Sequence, residues 1–229
     1  MVLANKIYYN GIGGTMNKFG FTLAEVFHPA GQAKRTAFTL AEVLITLGII
    51  GVVAALTMPT LIQHHKKHVV ETKLAKFAST YRQAIKMSEA ENGPVGGWTT
   101  QHLNGSYYYD HYKTYLDKYI KTTSHKIFND GVMFALADGS GFFYYYDIGF
   151  CVDYKDCIKT MEKIGWVQGG RYINGKNTFL FHYDGRSYAD GNPTLEEMRE
   201  NCKETYGLFC TKLIERNGWK IPKDYPLKF

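Results

Sequence analysis

Residues 43–62 read VLITLGIIGVVAALTMPTLI, twenty positions without a charged side chain. As a helix this run is about 30 Å long, which matches the hydrocarbon core of a bilayer. Thirteen Leu, Ile, Val or Phe residues lie between Phe38 and Ile62, and together they favour insertion by roughly −4 to −8 kcal/mol. One ionised acid costs on the order of 3 kcal/mol at mid-membrane and less near the edge, so insertion wins even with Glu42 included. A cleaved secretory signal has a shorter apolar stretch followed by a small-x-small site. Here the run ends in Pro59, Leu61 and Ile62 and passes straight into an amphipathic pattern, so an uncleaved anchor fits better. The flanking charges do not orient it. Lys34 and Arg35 precede the run while His64, His65, Lys66, Lys67 and His68 follow it, which leaves the positive-inside rule nearly balanced.

The residues just upstream are more telling: Lys34-Arg35-Thr36-Ala37-Phe38-Thr39-Leu40-Ala41-Glu42-Val43. This stretch resembles the cleavage and methylation site of type IV prepilins and type II secretion pseudopilins. The resemblance implies removal of a basic leader, residues 1–37, by cutting between Ala37 and Phe38. The same prepilin peptidase would then N-methylate Phe38. In a filament core, Glu42 of an incoming subunit would pair with the Phe38 amine of a neighbour, since an unpartnered charge there is costly. Gly51 and Pro59 stand where the family's helix carries its usual Gly and Pro. With Gly48 they form an expected hinge, because Gly and Pro weaken a helix by about 1 and 3 kcal/mol. Ala37 departs from the family's Gly before the cut. A partial repeat upstream, Gly20-Phe21-Thr22-Leu23-Ala24-Glu25-Val26, has no anchor behind it, and residues 21–26 read as a duplicated scrap. Met16 is a sensible start for a shorter leader, and on that reading residues 1–15 fall outside the native product.

The expected architecture is α+β and pilin-like: a long N-terminal helix, membrane-spanning in its first half, packed on a small antiparallel sheet. Residues 38–62 form the membrane and filament-core helix and residues 63–92 its amphipathic continuation. In the latter, Val69, Val70, Leu74, Phe77, Ala78, Tyr81, Ala84, Ile85 and Met87 recur at three- and four-residue spacing. The whole helix would be about 80 Å long until Gly93-Pro94 stops it. Residues 93–229 form the globular head. Expected there are a helix over 108–121, strands over 132–137 and 142–148 joined at Asp138-Gly139-Ser140-Gly141, a strand over 177–183, and a helix over 194–206. The segment 217–222 then packs back on the head.

The four cysteines, Cys151, Cys157, Cys202 and Cys210, are spaced C-x5-C and C-x7-C, which does not suit zinc or thioredoxin chemistry. Three disulfide connectivities are open; the local pairings Cys151–Cys157 and Cys202–Cys210 are the expectation. A net charge of +6 spread along the chain reads as a solvated surface rather than a nucleic-acid patch. His64 and His68, one turn apart, lack a third ligand. Asp184, Asp190 and Asn192 are minor calcium candidates without the order of an EF-hand loop. His182, Asp184 and Ser187 crowd into six positions and carry no nucleophile elbow, so no enzyme is expected. No cofactor is expected either.

The reading is therefore a structural subunit of a type II secretion pseudopilus or type IV pilus. Its partners would be other copies, other pilin-like subunits, prepilin peptidase and, indirectly, an inner-membrane platform and assembly ATPase. It would be a single-pass inner-membrane protein with a cytoplasmic N-terminus, later part of a periplasmic or extracellular filament. The alternatives are a minor pilin whose head binds DNA or a surface glycan, and a plain anchored extracytoplasmic domain.

Overall fold

The computed structural model describes residues 38–98, 104–164, 173–189, 191–204 and 207–229. The leader with Ala37, the upstream repeat and Asp190 lie outside the described residues. The chain divides into two compact units, one ending at Gly48 and one running Ile49–Phe229.

Helix α1 spans Leu40–Asn92, and Pro59 sits inside it. Among the described residues it is the one helix long and apolar enough to cross a membrane, and none of that apolar window is buried. From Val70 onward one face is buried through Leu74, Phe77, Ala78, Tyr81, Ala84, Ile85 and Ser88. Gly93, at φ +78°, ends the helix with its N–H donating to Glu89 O, a left-handed stop that a side chain would strain.

The sheet that receives this face is a five-stranded antiparallel meander in chain order: β1 Ser124–Ile127, β2 Val132–Ala135, β3 Gly141–Tyr144, β4 Ile148–Cys151 and β5 Thr178–Phe181. Its register aligns a row of rings, Phe134, Phe142, Phe150 and Phe179, across four strands. Phe77 of α1 lies over this row, with its ring centre 4.7 Å from Phe150, 5.4 Å from Phe142 and 5.5 Å from Phe181. Burying a ring of this size removes a large apolar area from water and is worth about 2–3 kcal/mol. Helix α2, Gly105–Tyr115, adds Tyr108 and Tyr112 to the same core, and Asn104 caps it by accepting from Tyr107 N–H.

The opposite face of the sheet is also covered. Met133, Phe143 and Cys151 pack with Cys157 and Met161 of α3, Tyr154–Ile164. The Cys151–Cys157 disulfide joins β4 to α3, and Cys202–Cys210 joins α4, Leu195–Glu204, to α5, Cys210–Arg216. Each short loop closure contributes on the order of 2–3 kcal/mol through the unfolded state.

Several expectations change here. The run 142–148 is not one strand: β3 ends at Tyr144, residues 145–147 bend, and β4 begins at Ile148. The expected helix over 108–121 begins earlier and ends at Tyr115. β1, α3 and α5 are additional elements. The segment 217–222 does return to the head: Glu71 on α1 accepts from Ile221 N–H at 2.9 Å and pairs with Lys220 at 3.0 Å.

Candidate assembly site at the start of α1

The first turn of α1 is held by a reciprocal hydrogen-bond box. Thr39 N–H and Oγ1 both donate to Glu42 Oε2, at 2.8 and 2.9 Å. Glu42 N–H returns a bond to Thr39 Oγ1 at 3.2 Å, and Val43 N–H donates to Thr39 O. Thr39 is thus the N-cap and Glu42 the third helical residue, a Thr-x-x-Glu capping box. In the sequence this pattern coincides with the processing motif, which masks the role of Thr39.

The box has a chemical consequence for Glu42. One oxygen accepts both Thr39 bonds, while among the described residues Oε1 accepts none. The carboxylate is held at the mouth of the helix, where the backbone dipole favours negative charge, with one oxygen left for a second donor. Phe38 stands one residue before the cap and is 83% exposed. A free amine created at Phe38 would sit at the same end of the helix.

α1 is helical through Gly48, Gly51 and Pro59. A Cβ at Gly48 or Gly51 would meet nothing within 4 Å, so packing among the described residues requires neither glycine. Pro59 has no N–H and leaves the Ala55 carbonyl without its helical donor. Two residues before Pro59, Thr57 Oγ1 donates to Val53 O at 2.9 Å.

The remaining candidates do not assemble into sites. His64 and His68 are exposed, and among the described residues no group of three or more His, Cys, Asp or Glu is placed to hold a metal. Both oxygens of Asp184 are engaged by Arg186, from N–H at 3.0 Å and Nε at 2.6 Å. Asn192 is exposed. His182 and Ser187 make other contacts: the His182 ring stacks on Tyr188 at 4.6 Å, and Ser187 Oγ accepts from Arg82.

Residues 32–58 match the prokaryotic N-terminal methylation motif. Residues 60–195 and 186–229 match DUF6613, a family of unknown function, and these segments cover most of the chain. The chain belongs to the DUF6613 family. No curated protein matches it, and no solved structure does. The methylation motif marks this DUF6613 chain as a type IV pilin-like precursor. Proteins carrying that motif as pilins are structural rather than catalytic. The two matches meet near Pro59, so the motif and the DUF6613 region occupy successive parts of the chain.

Proposed function

We propose that this DUF6613 chain is a structural subunit of a type II secretion pseudopilus or type IV pilus. In this reading it is cut between Ala37 and Phe38, methylated at Phe38, held in the inner membrane by residues 38–62, and assembled with other pilin-like subunits through the same helix. The observation that carries the proposal is the methylation motif followed without a break by an apolar helix that no part of the described residues buries. Exposed apolar surface of this length needs lipid or other helices to cover it. The head lies outside the cytoplasm, which agrees with two disulfides and no free cysteine among the described residues. Gly48, Gly51 and Pro59 supply a hinge at which the helix locally unwinds when the subunit leaves the bilayer.

Glu42 sets axial register by meeting a neighbour's Phe38 amine with the oxygen that Thr39 leaves open. Glu42→Ala is expected to insert normally into membranes yet be lost from sheared filaments. Incorporation at the unmodified level would overturn the pairing.

A second reading, a minor subunit whose head binds a surface glycan, is favoured by one cleft of about 270 Å³. There Tyr146, 56% exposed, stands beside Asp147, Asp184 and Arg186. An exposed ring among polar side chains of both signs suits a polyhydroxyl ligand. That reading requires the chain to be scarce in filaments and its affinity for glycan to fall on Tyr146→Ala.

A further inference from the structure

Two distant stretches of sequence meet where the membrane helix leaves the bilayer. One is residues 64–68 of α1, directly after the apolar run, with Lys66 and Lys67 among three histidines. The other is residues 220–229, which return to the same level. Glu71 holds Lys220 and the Ile221 N–H. Farther along, the Phe229 ring lies 6.0 Å from Lys67 Nζ. Between these two ties, Tyr225 OH donates to Gly175 O at 2.5 Å. Leu227 packs so closely on Gly175 that a Cβ there would lie 2.8 Å from its Cδ1. The segment is therefore tied to α1 at both ends and to the head in its middle.

The level of this cluster follows from helical rise. Lys67 is five residues past Ile62 and Glu71 nine, about 8 and 14 Å along α1. The polar layer on each side of a bilayer is roughly 5–8 Å deep, and charges act over a Debye length of about 8–10 Å beyond it. Lys66, Lys67 and Lys228 thus fall at the headgroups, with Lys220 and Lys223 just outside. The nearby acids are already engaged, Glu71 by Lys220 and Asp224 by Arg199. Lys66, Lys223 and Lys228 are exposed, and Lys220 is 62% exposed despite its pair. Phe229 and Tyr225 are half-buried rings 5.8 Å apart, the residue type that settles at membrane interfaces.

We propose that residues 64–68 and 220–229 together form a cationic foot that seats the base of the head on anionic lipid headgroups of the bilayer holding α1. The foot rests on the reading of residues 38–62 as a membrane anchor. It gives the post-span basic cluster a role that the balanced flanking charges did not explain: it fixes the head against the surface before assembly instead of orienting the span.

The test uses the full chain in nanodiscs of phosphatidylcholine alone or of phosphatidylcholine mixed with phosphatidylglycerol. Backbone amide exchange is followed in residues 220–229, with β5 as the internal reference. Phosphatidylglycerol is expected to slow exchange in 220–229 by on the order of fivefold per engaged lysine and to leave β5 unchanged, and added salt should remove the difference. Lys223→Glu with Lys228→Glu, both exposed positions, should abolish it while β5 stays protected. Equal exchange in the two lipids by a chain that resists carbonate extraction would overturn the foot and leave the anchor standing. Release of the chain by carbonate would overturn both.

Discussion

Two helices of this chain begin with the same box. α1 starts at Thr39-Leu40-Ala41-Glu42 and α4 at Thr194-Leu195-Glu196-Glu197. In each, the Thr N–H and hydroxyl donate to one glutamate oxygen and the glutamate N–H returns a bond to the hydroxyl. Local structure therefore cannot distinguish them, but the next turns of each helix can. Beyond Thr194, α4 buries Met198 and Cys202 in the head and is tied to α5 by a disulfide. Beyond Thr39 come Leu44, Ile45 and Leu47, all at least 60% exposed, and nothing among the described residues covers them. The same cap serves a self-contained element in one place and an unfinished one in the other.

That contrast fixes the largest expected effect. Glu42→Ala should remove the chain from filaments, whereas Glu197→Ala should be incorporated like the unmodified protein; equal behaviour of the two variants would mean that Glu42 is only a helix cap. Next in size is a stability difference along α1 itself. Phe77→Ala should cost the head about 3–5 kcal/mol in denaturant unfolding through the cavity it leaves against Phe142 and Phe150. Leu47→Ala should cost the head nothing measurable, because that side chain is 60% exposed among the described residues.

The smallest effect is a pH dependence confined to the head. Burial opposes charge on Glu215, yet hydrogen bonds from Arg82 and Lys212 hold its carboxyl below the usual range. Asp138 is likewise opposed by burial and is held low by Ser140 and Lys76. A depressed carboxylate pKa stabilises the folded state above the unfolded value, about 4, and that stability is lost as pH falls through the folded value. Head stability should thus be flat between about pH 5 and pH 9 and fall below pH 4, and Glu215→Gln should shrink the acid fall. An acid response unchanged by Glu215→Gln would assign the loss to other groups.

The sequence is most legible where one face of an element is apolar and the other polar. The run 43–62 and the spacing from Val70 to Ile85 mark the two halves of α1, and Asp138-Gly139 marks the β2–β3 turn, where Gly139 takes φ +79°. The sheet is harder to read because both of its faces are covered. Tyr144 looks toward α1 and Phe143 toward α3, so residues 142–151 show no alternation and the bend at 145–147 reads as strand. β1 is exposed along its length and carries no hydrophobic signal. α3 is hidden by its cysteine, although Asp153 accepts from Asp156 N–H at its start. At the candidate assembly site, Glu42 is legible from its place in the motif, while Thr39 emerges only from the hydrogen bonds it makes.

The assembly proposed for Glu42 depends on a cut that would turn residue 38 into a chain terminus. Mass spectrometry of the N-terminal peptide from membrane or filament fractions reads this directly. It should find N-methylated Phe38 followed by Thr39 and Leu40. A peptide that runs through Ala37 into Phe38 in assembled material would contradict it.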